Sequence, residues 1–314
     1  MNYTSSGLAT SFPSKKRYQK RRNSCLPISK AIPGFIQFKG AEGLSPRTLT
    51  SYEYDLKMWL DNQGDRDVID VTPQEIREYL NYMRTEYTPR RITGNNEQKL
   101  SSKTIRNIWI SLSAFFTWAS EEFEFYSPMK GVPAPKYTNA PVETFKKEEI
   151  ESLLKVCDFC RETKTEQRRK FTMRRSTAKR DRAIILTLLD TGLRAGEICS
   201  LRIRDIDLKT GKVIVHHGSM GGSKGGKGRT VFMGKSTRRA VWRYLADRED
   251  GGDSEAPLFT AKSTRPMNPG GLRLVINALG DKANITKCYP HKFRHTFAIT
   301  YLRSGGDLFT LQSL

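Results

Sequence analysis

The sequence predicts a mainly α-helical protein with one small antiparallel β-sheet, divided into two domains. Three observations carry that reading. Apolar residues recur at helical spacing through most of the chain, two short apolar or alternating runs flank a glycine-rich segment, and prolines cluster once, between Ser127 and Glu143. A length of 314 residues suits about two ordinary domains, each able to bury its own core.

The first thirty residues carry Lys15, Lys16, Arg17, Lys20, Arg21 and Arg22 among serines with little apolar periodicity, the pattern of a solvated basic tail. From Ser45 the pattern is helical: Leu49, Tyr52, Leu56, Trp59 and Leu60 fall near one face. Thr72, Pro73 and Glu75 read as an N-cap, a first-turn proline and a capping-box acid, opening a helix with Ile76, Tyr79, Leu80 and Met83 inward. A third helix follows Ser102, with Ile105, Ile108, Trp109, Leu112, Phe115 and Phe116 as its apolar stripe. Aromatics at helical spacing are expected to fill a core, not to stack on bases. Residues 31–127 are thus expected to form a small all-helical domain.

Pro128, Pro133, Pro135 and Pro141 predict an extended connector over 128–143. Beyond it, Thr144 is expected to cap a helix with Glu148 and Glu149 in its first turn, followed by a basic stretch from Arg161 to Arg182. Ala183 to Asp190 reads as a buried helix stopped at Gly192. Lys212–His217 and Arg229–Met233 read as strands of a hairpin joined by GSMGGSKGGKG. Helices are expected around Arg238–Leu245, Leu272–Leu279 and His291–Leu302, which makes 144–314 a helical domain around a small sheet.

Hydrophobic residues make up 37% of the chain and aromatics 10%, as packed structure requires. Basic residues number 54 against 33 acidic, a formal charge of +21, so a polyanion is the expected partner. No run approaches the ~18 apolar residues of a spanning helix, and Met1–Lys30 lacks the apolar core of a secretory signal, so a soluble, intracellular protein is expected. The five cysteines form no even framework. Cys157 and Cys160 make a CxxC pair, but zinc would need two further ligands and a redox site a thioredoxin-like context, so small residues at a helix end are the simpler reading.

Three islands could carry chemistry. In TGLRAGE, Arg194 and Glu197 stand three apart and share one helical face, so the carboxylate can hold a guanidinium whose planar fork fits a phosphate. A surface ion pair is the plainer alternative for this island alone. Lys224 and Lys227 sit in the glycine-rich loop, from which a lysine can enter a groove and protonate a leaving oxygen. A nucleotide-binding P-loop is the competitor, but Gly228 stands where Ser or Thr should hold magnesium and a strand follows where a helix should. His291 and Arg294 follow Pro290 in a first helical turn, side by side at i,i+3, with His295 adjacent but expected to point elsewhere. His216 and His217 are expected only to pack or hydrogen-bond. Two arginines, a lysine and a histidine, without clustered carboxylates for magnesium, describe phosphoryl chemistry that uses no metal.

TGLRAGE, the lysine of GGSKGGKGR and HKFRHTF, in that order, resemble the boxes of the tyrosine recombinase (phage-integrase) catalytic domain. The upstream helical unit resembles the family's core-binding domain, so the resemblance runs from about Ile32 to the last residue. It implies that Arg194 and Arg294 clamp a scissile phosphate, Glu197 supports the clamp, Lys224 (or Lys227) protonates the departing 5′ oxygen and His291 assists proton transfer. It further implies a tyrosine nucleophile, a 3′-phosphotyrosyl intermediate, no cofactor, neither ATP nor metal, and double-stranded DNA clasped between the two domains. Self-association as a tetramer on paired DNA sites belongs to the same implication. The match departs at its end: the family has a Gly-His or Gly-Trp box and then the tyrosine after HxxR, whereas here the sequence reaches only Leu311, Gln312, Ser313 and Leu314. Tyr301 comes too early and is expected to pack, so the chain is expected to stop short of its nucleophile. A truncated recombinase that binds DNA without cutting it is the alternative.

Overall fold

The structure, a computed structural model, describes residues 26–90, 97–139, 141–158, 163–165, 168–171, 175–216, 228–261 and 265–313. The chain divides into two compact units, Met1–Ala140 and Pro141–Leu314. Among the described residues the first unit is all helical, with α1 (Ile28–Ala41), α2 (Pro46–Gln63), α3 (Pro73–Thr85), α4 (Ser102–Glu122) and a 3-10 turn over Pro128–Gly131. Local chemistry sets the starts of these helices. Ser45 and Ser101 accept the amides of Thr48 and Thr104, and Thr72 and Glu75 close the expected capping box. The aromatics fill the core, as their spacing predicts: Trp59 meets Tyr79 edge-on with centroids 4.9 Å apart, and Phe35 meets Phe115 at 5.6 Å.

Two expectations for this unit need correction. The basic tail ends before residue 26, because the Leu26 amide donates to Asp67 (3.2 Å) and Ile28 opens α1 fully buried. Pro33 lies inside α1, where Ile28, Ala31, Ile32 and Phe35 form an i, i+3, i+4, i+7 stripe whose burial offsets the local cost of a proline. The proline-rich connector is also shorter than expected. Met129 and Val132 are buried in the first core, and the Trp109 indole donates to the Val132 carbonyl (3.2 Å).

The second unit runs α5 (Lys147–Asp158), β1 (Thr163–Thr165), β2 (Arg168–Phe171), α6 (Ala178–Thr191), α7 (Ala195–Ser200), β3 (Lys212–Val215), β4 (Arg229–Phe232), α8 (Lys235–Leu245), α9 (Pro269–Lys282), α10 (Pro290–Arg303) and α11 (Leu308–Ser313). The expected hairpin is present: β3 and β4 pair antiparallel with Val213 opposite Val231 and Val215 opposite Arg229. Val213, Val215 and Val231 face a core shared with Ile184, Leu188, Leu272, Ile276 and Phe293. A second antiparallel pair, β1 with β2, lies in the basic stretch where no strand was expected. Thr144 is no cap. The helix begins at Lys147, with the Lys146 amide donating to Glu149 (2.7 Å), and the Phe145 amide donates instead to Thr296 (2.9 Å). The α6 helix begins five residues before Ala183, because Asp181, buried in its first turn, is neutralised by Arg175 and Arg180 (2.8 Å each).

Candidate active site

The turn between α6 and α7 is built around Gly192. Its amide caps α6 by donating to the Leu188 carbonyl (3.1 Å), and its φ of +61° is one that L side chains rarely adopt. A Cβ at this position would also lie 2.3 Å from the Phe297 ring of α10, so only glycine lets the two helices approach here. Two residues on, Arg194 is in extended conformation immediately before α7, and is its N-cap, not a residue within the helix as the sequence reading had it. Its amide donates to Glu197 Oε2 (2.8 Å) and its Nη1 to Glu197 Oε1 (2.9 Å). The two residues therefore come together as expected, through a capping geometry.

Glu197 is 1% exposed, and a third residue accounts for that. Arg229, the first residue of β4, donates Nη1 to Glu197 Oε1 (2.9 Å) and Nη2 to Oε2 (2.7 Å). Burial opposes ionisation of this carboxyl, but the Arg229 hydrogen bonds, the Arg194 amide, the Arg229 charge and the Arg194 side-chain hydrogen bond outweigh it and hold its pKa down to about 2. Sequence reasoning missed Arg229. A signal was present: alternation along β4 puts it on the same inward face as Val231, where an arginine needs a buried partner.

Arg294 lies in the first turns of α10, opened by Tyr289 as N-cap and Pro290 as first residue. Its Nη1 donates to the Gly192 carbonyl (2.6 Å), tying α10 to the turn that carries Arg194. Burial lowers the Arg294 pKa, and the positive charge of Arg194 lowers it further, so the two guanidinium groups stand within electrostatic reach. His291 is exposed at the start of the same helix. Partial desolvation pulls its pKa below the ordinary histidine value, followed by His295, Arg294 and Arg194, which favours a neutral imidazole at pH 7. His295 does not point elsewhere as expected: its ring meets that of His291 edge-on at 4.5 Å. Between them in sequence, Lys292 points inward, its ammonium 4.3 Å from the Phe145 ring centroid and 3.9 Å from Glu149.

Arg194, Glu197, His291 and Arg294 thus form one cluster, joined by Arg229 and the Gly192 carbonyl. Three guanidinium groups against one carboxylate leave an excess of positive charge, which suits a phosphate. Lys224, Lys227 and His217 lie outside the described residues, but β3 and β4 fix the two ends of the segment that carries them. His216, at the end of β3, sits 2.8 Å from Asp205. Tyr301 packs: its ring stacks on Phe297 at 6.1 Å, and a Cβ on Gly306 would lie 2.3 Å from it. Burial pushes the Cys157 thiol up to about 12, which leaves it protonated, and Cys160 lies outside the described residues. Among the described residues no group of three or more His, Cys, Asp or Glu could hold a metal ion, and no helix is long and apolar enough to cross a membrane.

Comparison with known proteins places this geometry in context. The model of the phage integrase family matches residues 143–314, and that of the phage integrase N-terminal SAM-like domain matches 33–122. The tyrosine recombinase XerC of Staphylococcus haemolyticus is 28% identical over 281 residues, covering 88% of this chain and 84% of its own length. The tyrosine recombinase XerA of Thermococcus kodakarensis is 27% identical over 290 residues, covering 91% and 86%. Among solved structures, the Tn1549 transposon integrase in complex with a circular intermediate DNA gives a TM-score of 0.69 at 20% identity, covering 91% of this chain and 90% of that one. A lambda integrase tetramer bound to a Holliday junction gives 0.68 at 18% identity, covering 96% and 82%. At these identities the structures speak for the fold.

Proposed function

This chain belongs to the phage integrase family of tyrosine recombinases, enzymes that break and rejoin DNA strands, and from that premise we propose that its cluster activates a DNA backbone phosphate for site-specific recombination. The observation that carries the proposal is the convergence of Arg194 and Arg294 on the Gly192 turn beside a neutral-leaning His291. Each guanidinium offers donors to the non-bridging oxygens, where charge builds as phosphorus becomes five-coordinate. A tyrosine phenol attacks phosphorus and the bond to the 5′ oxygen breaks, leaving a 3′-phosphotyrosyl link. His291, its pKa lowered by partial desolvation and then by Arg294 and Arg194, accepts the phenolic proton. Lys224 gives a proton to the departing 5′ oxygen, with Lys227 as the alternative donor. Attack by a 5′ hydroxyl of another strand reverses these steps and completes the exchange. Covalent catalysis stores the bond energy, so no external energy source is called for.

Tyr301 is committed to packing and does not fill the role of the attacking tyrosine. The partner is duplex DNA at intracellular sites, with self-association on paired sites as in the integrase tetramer on its junction. Cleavage of a nicked duplex tests the proposal, with hydrogen peroxide supplied as nucleophile so that the readout does not depend on which tyrosine attacks. Arg194→Ala and Arg294→Ala should each lower cleavage about 10²–10³-fold, with a far smaller change in DNA affinity. Equal losses in binding and cleavage would sink the proposal.

A further inference from the structure

Glu197 has two oxygens and four donors. Arg229 takes both oxygens with its fork, at 2.9 and 2.7 Å, while Arg194 reaches the carboxylate through its amide and through Nη1 alone. Among the described residues, Nε and Nη2 of Arg194 donate to no protein acceptor, and the Arg194 side chain is 37% exposed whereas that of Arg229 is 14%. A carboxylate beside a guanidinium prefers the parallel two-bond arrangement. Here Arg229 already occupies it, so Arg194 cannot close its own fork on Glu197 and keeps that edge free.

We propose that Arg229 is a positioning residue: by saturating Glu197 it prevents Arg194 from collapsing onto the carboxylate, and so keeps the Arg194 fork available to a phosphate. The proposal rests on the phosphate-clamp reading above and adds the residue that holds the clamp open. It also explains why a strand residue separated by 32 positions from Glu197 points into this turn. Arg229 itself reaches no reacting atom. Its effect passes through Glu197 to Arg194.

Titration with inorganic phosphate at pH 7, read by the ring-proton shift of His291 in the NMR spectrum, separates the cases. In the wild-type chain, phosphate binding should raise the His291 pKa, because an anion enters beside the ring. Arg194→Ala should abolish this response. Arg229→Lys keeps the charge but cannot span both oxygens, so phosphate should bind about tenfold more weakly, the loss of one charge-assisted hydrogen bond, while the melting temperature changes little. Arg229→Ala should weaken binding further, and adding Glu197→Gln to it should restore part of the affinity, because a neutral amide no longer captures Arg194. No response in the wild type would refute the clamp reading itself. A wild-type response retained in full by Arg229→Lys, or an Arg229→Ala, Glu197→Gln pair whose losses simply add, would overturn the positioning role and leave the clamp standing. If Arg229→Ala does not fold, the lysine variant decides.

Discussion

Asp55 in the first unit and Glu197 in the second are both buried carboxyls, at 8% and 1% exposure, yet their environments drive them in opposite directions. Burial raises the pKa of Asp55, and the hydrogen bond from the Ser111 hydroxyl at 2.6 Å only partly offsets that. Glu197 suffers the same burial but meets two guanidinium groups and is held at about 2. The contrast extends to the units. Among the described residues, Asp55 is the sole buried charged side chain of the first, whereas the second buries Arg180, Asp181, Glu197, Asp205 and Lys292. A buried charge costs free energy unless it is paired. The first unit is stabilised by aromatic packing, whereas in the second the buried Glu197 carboxylate is paired with Arg229 and with the more exposed Arg194.

Exchanging each carboxyl for its amide should break this symmetry of burial, with the larger effect at Glu197. A carboxyl with a depressed folded-state pKa contributes stability that is present above its unfolded value of 4.5 and is lost as pH falls towards about 2. Glu197→Gln should therefore cost the second unit about 3 kcal/mol or more at pH 7 by stranding Arg229, and should flatten its acid-unfolding profile between those values. Denaturant melts across that pH range check this, and an unchanged profile would mean that Glu197 is not the strut described. Asp55 has the opposite sign. Its raised pKa favours the folded state at acid pH, and the advantage is lost as pH rises from the ordinary aspartate value of 3.8 through the raised folded-state value. Asp55→Asn, with its amide oxygen still facing Ser111, should change stability at pH 7 by no more than about 1 kcal/mol, gain as readily as loss.

How much of this was legible in the sequence follows from how local each signal is. The Thr72–Glu75 capping box and the stop at Gly192 depend on residues within one turn of each other, and both stand as read. The start of α1 was not read, because Ile28 follows directly on a basic, serine-rich stretch and its burial depends on partners distant in sequence. The Arg194–Glu197 pairing followed from i,i+3 spacing, whereas the partner of Arg229 lies 32 residues away and only its inward strand position was open to reading. The packing expected of Tyr301 agrees with its contacts on Phe297 and Gly306. Tyr301→Phe should be the mildest change of all, within about 0.5 kcal/mol in a thermal melt and without effect on any protein–DNA adduct. An adduct that disappears with Tyr301→Phe would assign the nucleophile to Tyr301 instead.

The salt dependence of DNA binding measures the whole charged surface, with log K expected to fall by ~0.9 per neutralised phosphate against log salt, but it does not single out the clamp. The most direct test of the clamp is a crystal structure of the protein on a DNA duplex. The account predicts one backbone phosphate with oxygens about 2.7–2.9 Å from both the Arg194 and Arg294 guanidinium groups, while Arg229 keeps its two bonds to Glu197. A bound duplex whose phosphates all lie beyond hydrogen-bonding reach of that pair would contradict it.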